Sequence, residues 1–317
     1  MIQMKINFEE QFTNLQANED ILKKLDTNNE IKIFFGLSKE GKKRLAFQSN
    51  ETIDQIESTK IINVSYYKDN EDYWLSFDLE DNKFDNLFYT FCSDMVNSLS
   101  NLSDAKKELE YIKNRFYNWK KMFQNVTTRD LSEEKEQGIF GELYFLYNYM
   151  IPKYGVDSSV LSWSGPLKFN KDFSINETWY EIKTSSVSST NIKISSLSQL
   201  DSEKEGFLSV VKVEKMSPEF TGYLSSVYNL IQAIMAQINT IKAQDDFLNK
   251  LVEYGLGPDN NFGSRKFDVK SVKLYLVNDK FPRLTKNVIT HEEIDNVSYL
   301  LNLSGIEKYK VEELWLV

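Results

Sequence analysis

The segment from Asp172 to Lys183 constrains the fold more than any other. Asn176 and Glu177 separate two runs rich in apolar and aromatic residues, Phe173 to Ile175 and Thr178 to Ile182. Two such runs around a short polar pair predict a β-hairpin with a two-residue loop. That register pairs Ile175 with Thr178, Ser174 with Trp179, Phe173 with Tyr180 and Asp172 with Glu181. Side chains alternate along a strand, so Trp179, Glu181 and Lys183 share one face while Tyr180 and Ile182 take the other. The result is a buried strand that carries charge only at a few positions.

In this register Asp172 faces Glu181, with β-carbons roughly 4.5–5.5 Å apart. Like charges opposite one another in a sheet repel, so either one carboxylate takes up a proton or a cation sits between them. A hard divalent ion such as Mg²⁺ is bound by one or two carboxylates with waters and phosphate oxygens, and needs neither His nor Cys. Lys183, on the same face, is placed to reach a phosphate oxygen or an attacking water. A Lewis acid, an activated water and a nearby positive charge are what metal-assisted phosphodiester hydrolysis requires. The plain alternative is an ordinary hairpin with Glu181 and Lys183 on a solvated face, since this spacing of acids and lysine recurs by chance.

Composition narrows the alternatives. A single His, His291, excludes a His-Glu-x-x-His metallohydrolase, and no Gly-x-Ser-x-Gly elbow precedes it to build a serine triad. A single Cys, Cys92, excludes a disulfide framework and a Cys-rich zinc site, and its apolar neighbours Phe88, Phe91 and Met95 predict a core residue. With 38 Lys plus Arg against 47 Asp plus Glu, the net charge of −9 argues against strong nonspecific adhesion to nucleic acid and leaves room for a local basic groove. There is no run of about 18 apolar residues and no signal or transit pattern, so a cytoplasmic protein without membrane association is expected.

Length predicts about two domains at roughly 150 residues each. Residues 1–125 read as an N-terminal α+β module and residues 126–317 as a core. In the first part, hairpins are expected at Ile31 to Gln48 and Ile61 to Leu79, followed by a helix from Phe84 to Leu99. Ser103 is placed to cap a further helix with an apolar face of Leu109, Ile112, Phe116, Trp119 and Phe123. Its other face carries Lys106, Lys107, Lys113, Lys120 and Lys121, near Arg115; Glu108 and Glu110 interrupt it, which favours a solvated face over phosphate contact. Thr127 to Asp130 form a joint. Beyond it are expected a helix from Ser132, strands at Asn191 to Ile194, Phe207 to Val213 and Ser271 to Val277, a long helix from Leu224 to Ile241 introduced by Ser217 and Pro218, and a further helix ending at Gly255.

The helix after Ser132 contains Gly138 and Gly141, each costing roughly 1 kcal/mol relative to Ala. Close approach of another element is the expected reason, and Gly138, one turn before Glu142, leaves that carboxylate room to reach sideways. A tight helix crossing with an incidental Glu is the alternative.

Taken in order, Gly138-Ile139-Phe140-Gly141-Glu142, Trp163-Ser164-Gly165-Pro166, Asp172-Phe173, Glu181-Ile182-Lys183-Thr184, Gln199-Leu200 and Phe281-Pro282-Arg283 resemble an uncharacterised bacterial family of the PD-(D/E)XK nuclease superfamily. The resemblance is strongest from about residue 130 to 285. It implies an α/β (mixed α+β) fold, a restriction-endonuclease-like core with a mixed sheet flanked by helices. It also implies that Asp172, Glu181 and Glu142 hold the metal, that Lys183 positions the attacking water, and that Gln199, a weaker match, contacts substrate. Lys171 stands where the motif often has Pro. The cofactor implied is Mg²⁺, with Mn²⁺ able to substitute, and the partners are DNA, other phage-defence subunits and a second copy of the chain. A DNA endonuclease of restriction or phage defence is the leading expectation. The others are a noncatalytic DNA-binding or scaffold subunit keeping the fold, and a nuclease acting on RNA.

Overall fold

A computed structural model describes residues 6, 8–15, 22–99, 102–124, 131–165, 171–255, 264–288, 291, 294 and 297–314. The Thr127 to Asp130 joint, Pro166 and the side chains of Lys121 and Phe123 lie outside the described residues. The chain divides into two compact units, the first reaching Asp130 and taking in Gly255–Asn260, the second comprising Leu131–Tyr254 and Asn261–Val317.

The first unit contains α1 (Phe8–Thr13), β1 (Leu22–Lys24), β2 (Lys32–Leu37), β3 (Lys43–Ser49), β4 (Ile62–Asp69), β5 (Asp72–Leu79), α2 (Asp85–Ser98) and α3 (Ala105–Gln124). Its strands form an antiparallel sheet in the order β1-β2-β3-β5-β4, and both expected hairpins are present. Phe77 of β5 packs its ring against Phe91 of α2 and Phe116 of α3, with centroids at 5.5 and 4.9 Å. Cys92 is fully buried and its thiol is pushed up by that burial, as expected of a core residue. Asp104, and not Ser103, caps α3: it stands immediately before Ala105, and its carboxylate accepts from the Lys107 N–H at 2.9 Å. Three lysines of α3 are engaged within the unit, Lys106 with Glu51, Lys113 with Asp54 and Lys120 with Glu57. Acidic residues of one loop thus meet this basic face, which agrees with a face not reserved for phosphate.

The second unit contains α4 (Glu133–Phe145), α5 (Ile151–Tyr154), α6 (Val156–Ser162), β6 (Phe173–Ile175), β7 (Thr178–Ser186), β8 (Asn191–Ile194), β9 (Gly206–Met216), α7 (Val227–Met235), α8 (Ile241–Glu253), β10 (Lys266–Val277), β11 (Tyr299–Asn302), α9 (Leu303–Ile306) and β12 (Lys310–Leu314). The main sheet runs β12-β10-β9-β7-β6; β7 and β9 are parallel and the other pairs antiparallel, so the sheet is mixed. Ser132 caps α4 by accepting from the Lys135 N–H, with Glu133, Glu134 and Glu136 in the first turn facing the positive end of the helix dipole. A π-helical turn, Leu146–Met150, joins α4 to α5.

Alternation along β7 buries both faces. Tyr180 stacks on Phe207 and meets Phe145 of the α4 side, while Trp179 joins Leu208, Val210, Tyr275, Ile192, Ile194 and Leu301 beneath the β8–β11 pair. This is the mixed α/β arrangement expected of the core. The helix expected from Leu224 to Ile241 is shorter, α7 running only from Val227 to Met235, and the further helix expected before Gly255 is α8. Ser226 caps α7 and Thr240 caps α8 through side-chain oxygens, and Leu224 has a left-handed φ of 55° that no helix start tolerates. The strand expected from Ser271 begins earlier, at Lys266, and passes an irregularity between Val269 and Ser271.

Candidate active site

The site begins at the β6–β7 turn. Asn176 and Glu177 have φ of 48° and 63°, the left-handed pair that a two-residue hairpin of matching twist demands. The ladder then pairs Ile175 with Thr178, Ser174 with Trp179 and Phe173 with Tyr180, as the sequence predicts. It ends there, one residue short of the expected Asp172–Glu181 pair. The cause is local: Trp163 bridges Phe173 from the other side, and Ser164 donates its N–H to the Asp172 carbonyl at 2.7 Å. Asp172 grips β7 on either side of Glu181, its N–H donating to the Tyr180 carbonyl at 3.1 Å and its Oδ2 accepting from the Ile182 N–H at 2.7 Å.

Glu181 is 1% exposed, so both its oxygens need partners. Oε1 accepts from Lys183 Nζ at 2.8 Å; Oε2 is buried and has none. Glu142 arrives from α4. Its Oε2 accepts from Trp163 Nε1 at 2.9 Å and from Tyr254 Oη at 2.5 Å. Two glycines make this approach possible. A Cβ at Gly141 would lie 1.8 Å from Thr184 Oγ1 of β7, and one at Gly165 would lie 2.3 Å from Glu142 Oε2. Gly138, by contrast, has nothing within 4 Å of the Cβ it lacks, so the close approach expected at both helical glycines belongs to Gly141 alone.

Lys171, set aside as a departure from the motif, turns out to be structural. Its Nζ donates to the carbonyls of Ser198, Gln199 and Asp201 at 2.8, 2.7 and 3.2 Å and lies 3.9 Å from the Trp179 ring centroid. Burial lowers it to about 8, against the upward pull of Glu181. Gln199 spends its amide oxygen on the Ser195 N–H at 2.7 Å, within its own turn. Trp163 was legible as part of a motif, whereas Tyr254, far along the chain at the end of α8, carries no signal that could have marked it.

The electrostatics tie these groups into one field. Burial raises Glu142 well above the usual carboxylate range, the charge of Asp172 raises it further, and the bonds from Tyr254 and Trp163 only partly offset this. Burial also raises Asp172, against the pull of Lys183 and the Ile182 N–H. Glu181 is pushed up to about 8 by burial and then by Asp172, with Lys183 opposing. Burial by itself would lower Lys183, but Glu181, Asp172 and Glu142 outweigh it and hold the ammonium above its ordinary value. Negative charge is therefore in surplus, and it must be met by protons or by a cation.

Among the described residues no three His, Cys, Asp or Glu side chains are gathered closely enough to hold a metal as they stand. The donor set nonetheless suits a hard divalent ion: carboxylates in surplus and one buried oxygen of Glu181 without a partner. No curated protein and no solved structure matches the chain. A family model described as "Putative PD-(D/E)XK family member, (DUF4420)" matches residues 8–304. By that match over most of its length, and in keeping with the resemblance read from its motifs, the chain belongs to this PD-(D/E)XK family.

Proposed function

We propose that the protein is a metal-dependent endonuclease hydrolysing DNA phosphodiester bonds, acting in restriction or phage defence. The observation that carries this reading is the buried Glu181, held between Lys183 and a second acid, Asp172, with one carboxylate oxygen unpartnered. Family membership supports it, since PD-(D/E)XK proteins are generally nucleases. Asp172, Glu181 and Glu142 are the residues that would hold Mg²⁺, or Mn²⁺ in its place. A divalent cation bound there supplies positive charge opposite the charge that develops on the phosphate.

The chain's own groups do the rest. Lys183 stays protonated and is a donor for a water or a phosphate oxygen. Asp172, clamped to the Ile182 N–H, fixes the edge of β7 so that Glu181 and Lys183 keep one direction. Tyr254 and Trp163 orient the Glu142 carboxylate, and the Gly165 backbone leaves space for it. A two-fold homodimer would let the same site act on both strands of a duplex.

The engaged state of Glu142 and of the Glu181–Lys183 pair favours one competitor, a noncatalytic scaffold with the same fold. Incubating the protein with supercoiled plasmid and with matched DNA and RNA strands, in Mg²⁺ and in EDTA, separates the readings. Cleavage of DNA only with Mg²⁺ is expected. Cleavage of RNA alone would reassign the substrate, and no cleavage together with no calorimetric binding of Mg²⁺ or Mn²⁺ at millimolar concentration would leave the scaffold.

A further inference from the structure

The face of the main sheet that carries Glu181 and Lys183 continues beyond them. Along β7 the same parity brings Ser185 and Val187, and the parallel register with β9 places Lys183 beside Val210 and Ser185 beside Lys212. The register of β9 with β10 puts Lys273 beside Val210 and Tyr275 beside Leu208. Val187, Val210, Lys212, Lys273, Tyr275 and Glu307 line a cleft of about 520 Å³ on this face. Cleft and candidate active site thus lie on the same face of the sheet.

The charges in the cleft are unequally matched. Lys273 lies 3.4 Å from Glu307, and Lys270, also on the cleft, lies 2.5 Å from Asp268. Among the described residues Lys212 meets no carboxylate; its Nζ donates to the carbonyls of Ser186 and Ser189 at 3.0 and 2.5 Å. An ammonium has three donors, so one remains. Burial and the neighbouring Lys273 both hold Lys212 below the ordinary lysine value, and an arriving anion would favour its charged form and offset the repulsion from Lys273. Ser185 Oγ, across the ladder from Lys212, is buried and has no partner. With strands about 4.8 Å apart and a rise of about 3.3 Å per residue, the Lys183 and Lys212 backbones lie about 8 Å apart, a separation that two lysine stems can fit to adjacent phosphates.

We propose that this cleft, anchored by Lys212 with Lys273 beside it, seats the phosphate next to the one presented to Glu181 and Lys183, so that a nucleic-acid strand runs from β7 across β9 toward β10. The inference rests on the nuclease reading and assigns a substrate-binding role to residues outside the acidic motif. Lys212 binds the chain of phosphates and takes no part in bond breaking.

The test is fluorescence anisotropy of a short labelled DNA duplex with the full-length protein in Ca²⁺, over a range of salt, with plasmid cleavage in Mg²⁺ run alongside. Lys212→Gln keeps a donor for the Ser186 and Ser189 carbonyls while removing the charge. It is expected to weaken binding about fivefold and to reduce the salt slope by about 1, with Lys212→Arg restoring both. The rate at saturating DNA is expected to be unchanged, the loss falling on KM. Wild-type affinity and slope in Lys212→Gln would overturn the proposal. So would a loss that Lys212→Arg does not restore, which assigns Lys212 to holding the β7–β8 turn, or a wild type that binds no DNA. Binding that depends on Lys212 without any cleavage would sink the nuclease reading and leave the cleft standing; cleavage with binding indifferent to Lys212 would do the reverse.

Discussion

Burial and charge pull on Glu181 in the same direction, and that makes its proton informative. The folded protein holds it to about 8, above the ordinary carboxylate value, and raises Asp172 and Glu142 as well. A folded form that binds protons more tightly than the unfolded chain loses stability as pH rises between the two values. In EDTA the melting temperature should therefore fall from pH 5 to about 8.5, and Glu181→Gln should flatten that fall. Mg²⁺ competes with those protons, so it should raise the melting temperature more at pH 8.5 than at pH 6. A metal effect independent of pH would count against binding at these carboxylates. At this scale the sequence was most readable where alternation rules: the faces of Trp179, Tyr180, Glu181 and Lys183 followed from parity. The roles of Lys171 and Tyr254 were not readable, because each acts on atoms remote in sequence, the carbonyls of residues 198–201 and the Glu142 carboxylate.

Between elements, the decisive contact is α4 against β7. Gly141 permits it and Gly138 does not take part, although the two are indistinguishable in the sequence. Gly138→Ala should stabilise by about 1 kcal/mol, since a methyl enters open space and the helix gains propensity. Gly141→Ala should instead cost roughly 1–3 kcal/mol, because its Cβ would meet Thr184 Oγ1 at 1.8 Å. Urea denaturation of the two variants checks both signs, and equal effects would refute the close approach. The hairpins were legible from period and turn chemistry, and the mixed sheet from the family resemblance. The limits of α7 were not, because the apolar period runs on through Ile238 and Ile241, whereas the Ser226 and Thr240 caps declare themselves only once the backbone turns.

Over the whole molecule, the net charge of −9 takes on a specific meaning. Three lysines of α3 in the first unit, Lys106, Lys113 and Lys120, are matched by Glu51, Asp54 and Glu57, which lessens their attraction for phosphate. In the second unit one sheet face bears Lys183 beside Glu181 and Lys212 beyond it. Catalysis on a nucleic acid must then depend on divalent metal to offset the acids and on salt low enough for a few lysines to act. The family was legible from ordered short motifs; the cleft was not, since it is assembled from Val187 just past β7, from β9 and β10, and from α9 with Glu307 after it, which the sequence scatters. The central claim is tested most directly by plasmid cleavage in Mg²⁺ with wild type, Asp172→Ala and Lys183→Ala, each first shown to be folded by its thermal transition. The account predicts cleavage by wild type and at least a hundredfold loss in both variants, on the order of what electrostatic groups at such sites contribute; a wild type that cuts while both variants cut equally well would contradict it.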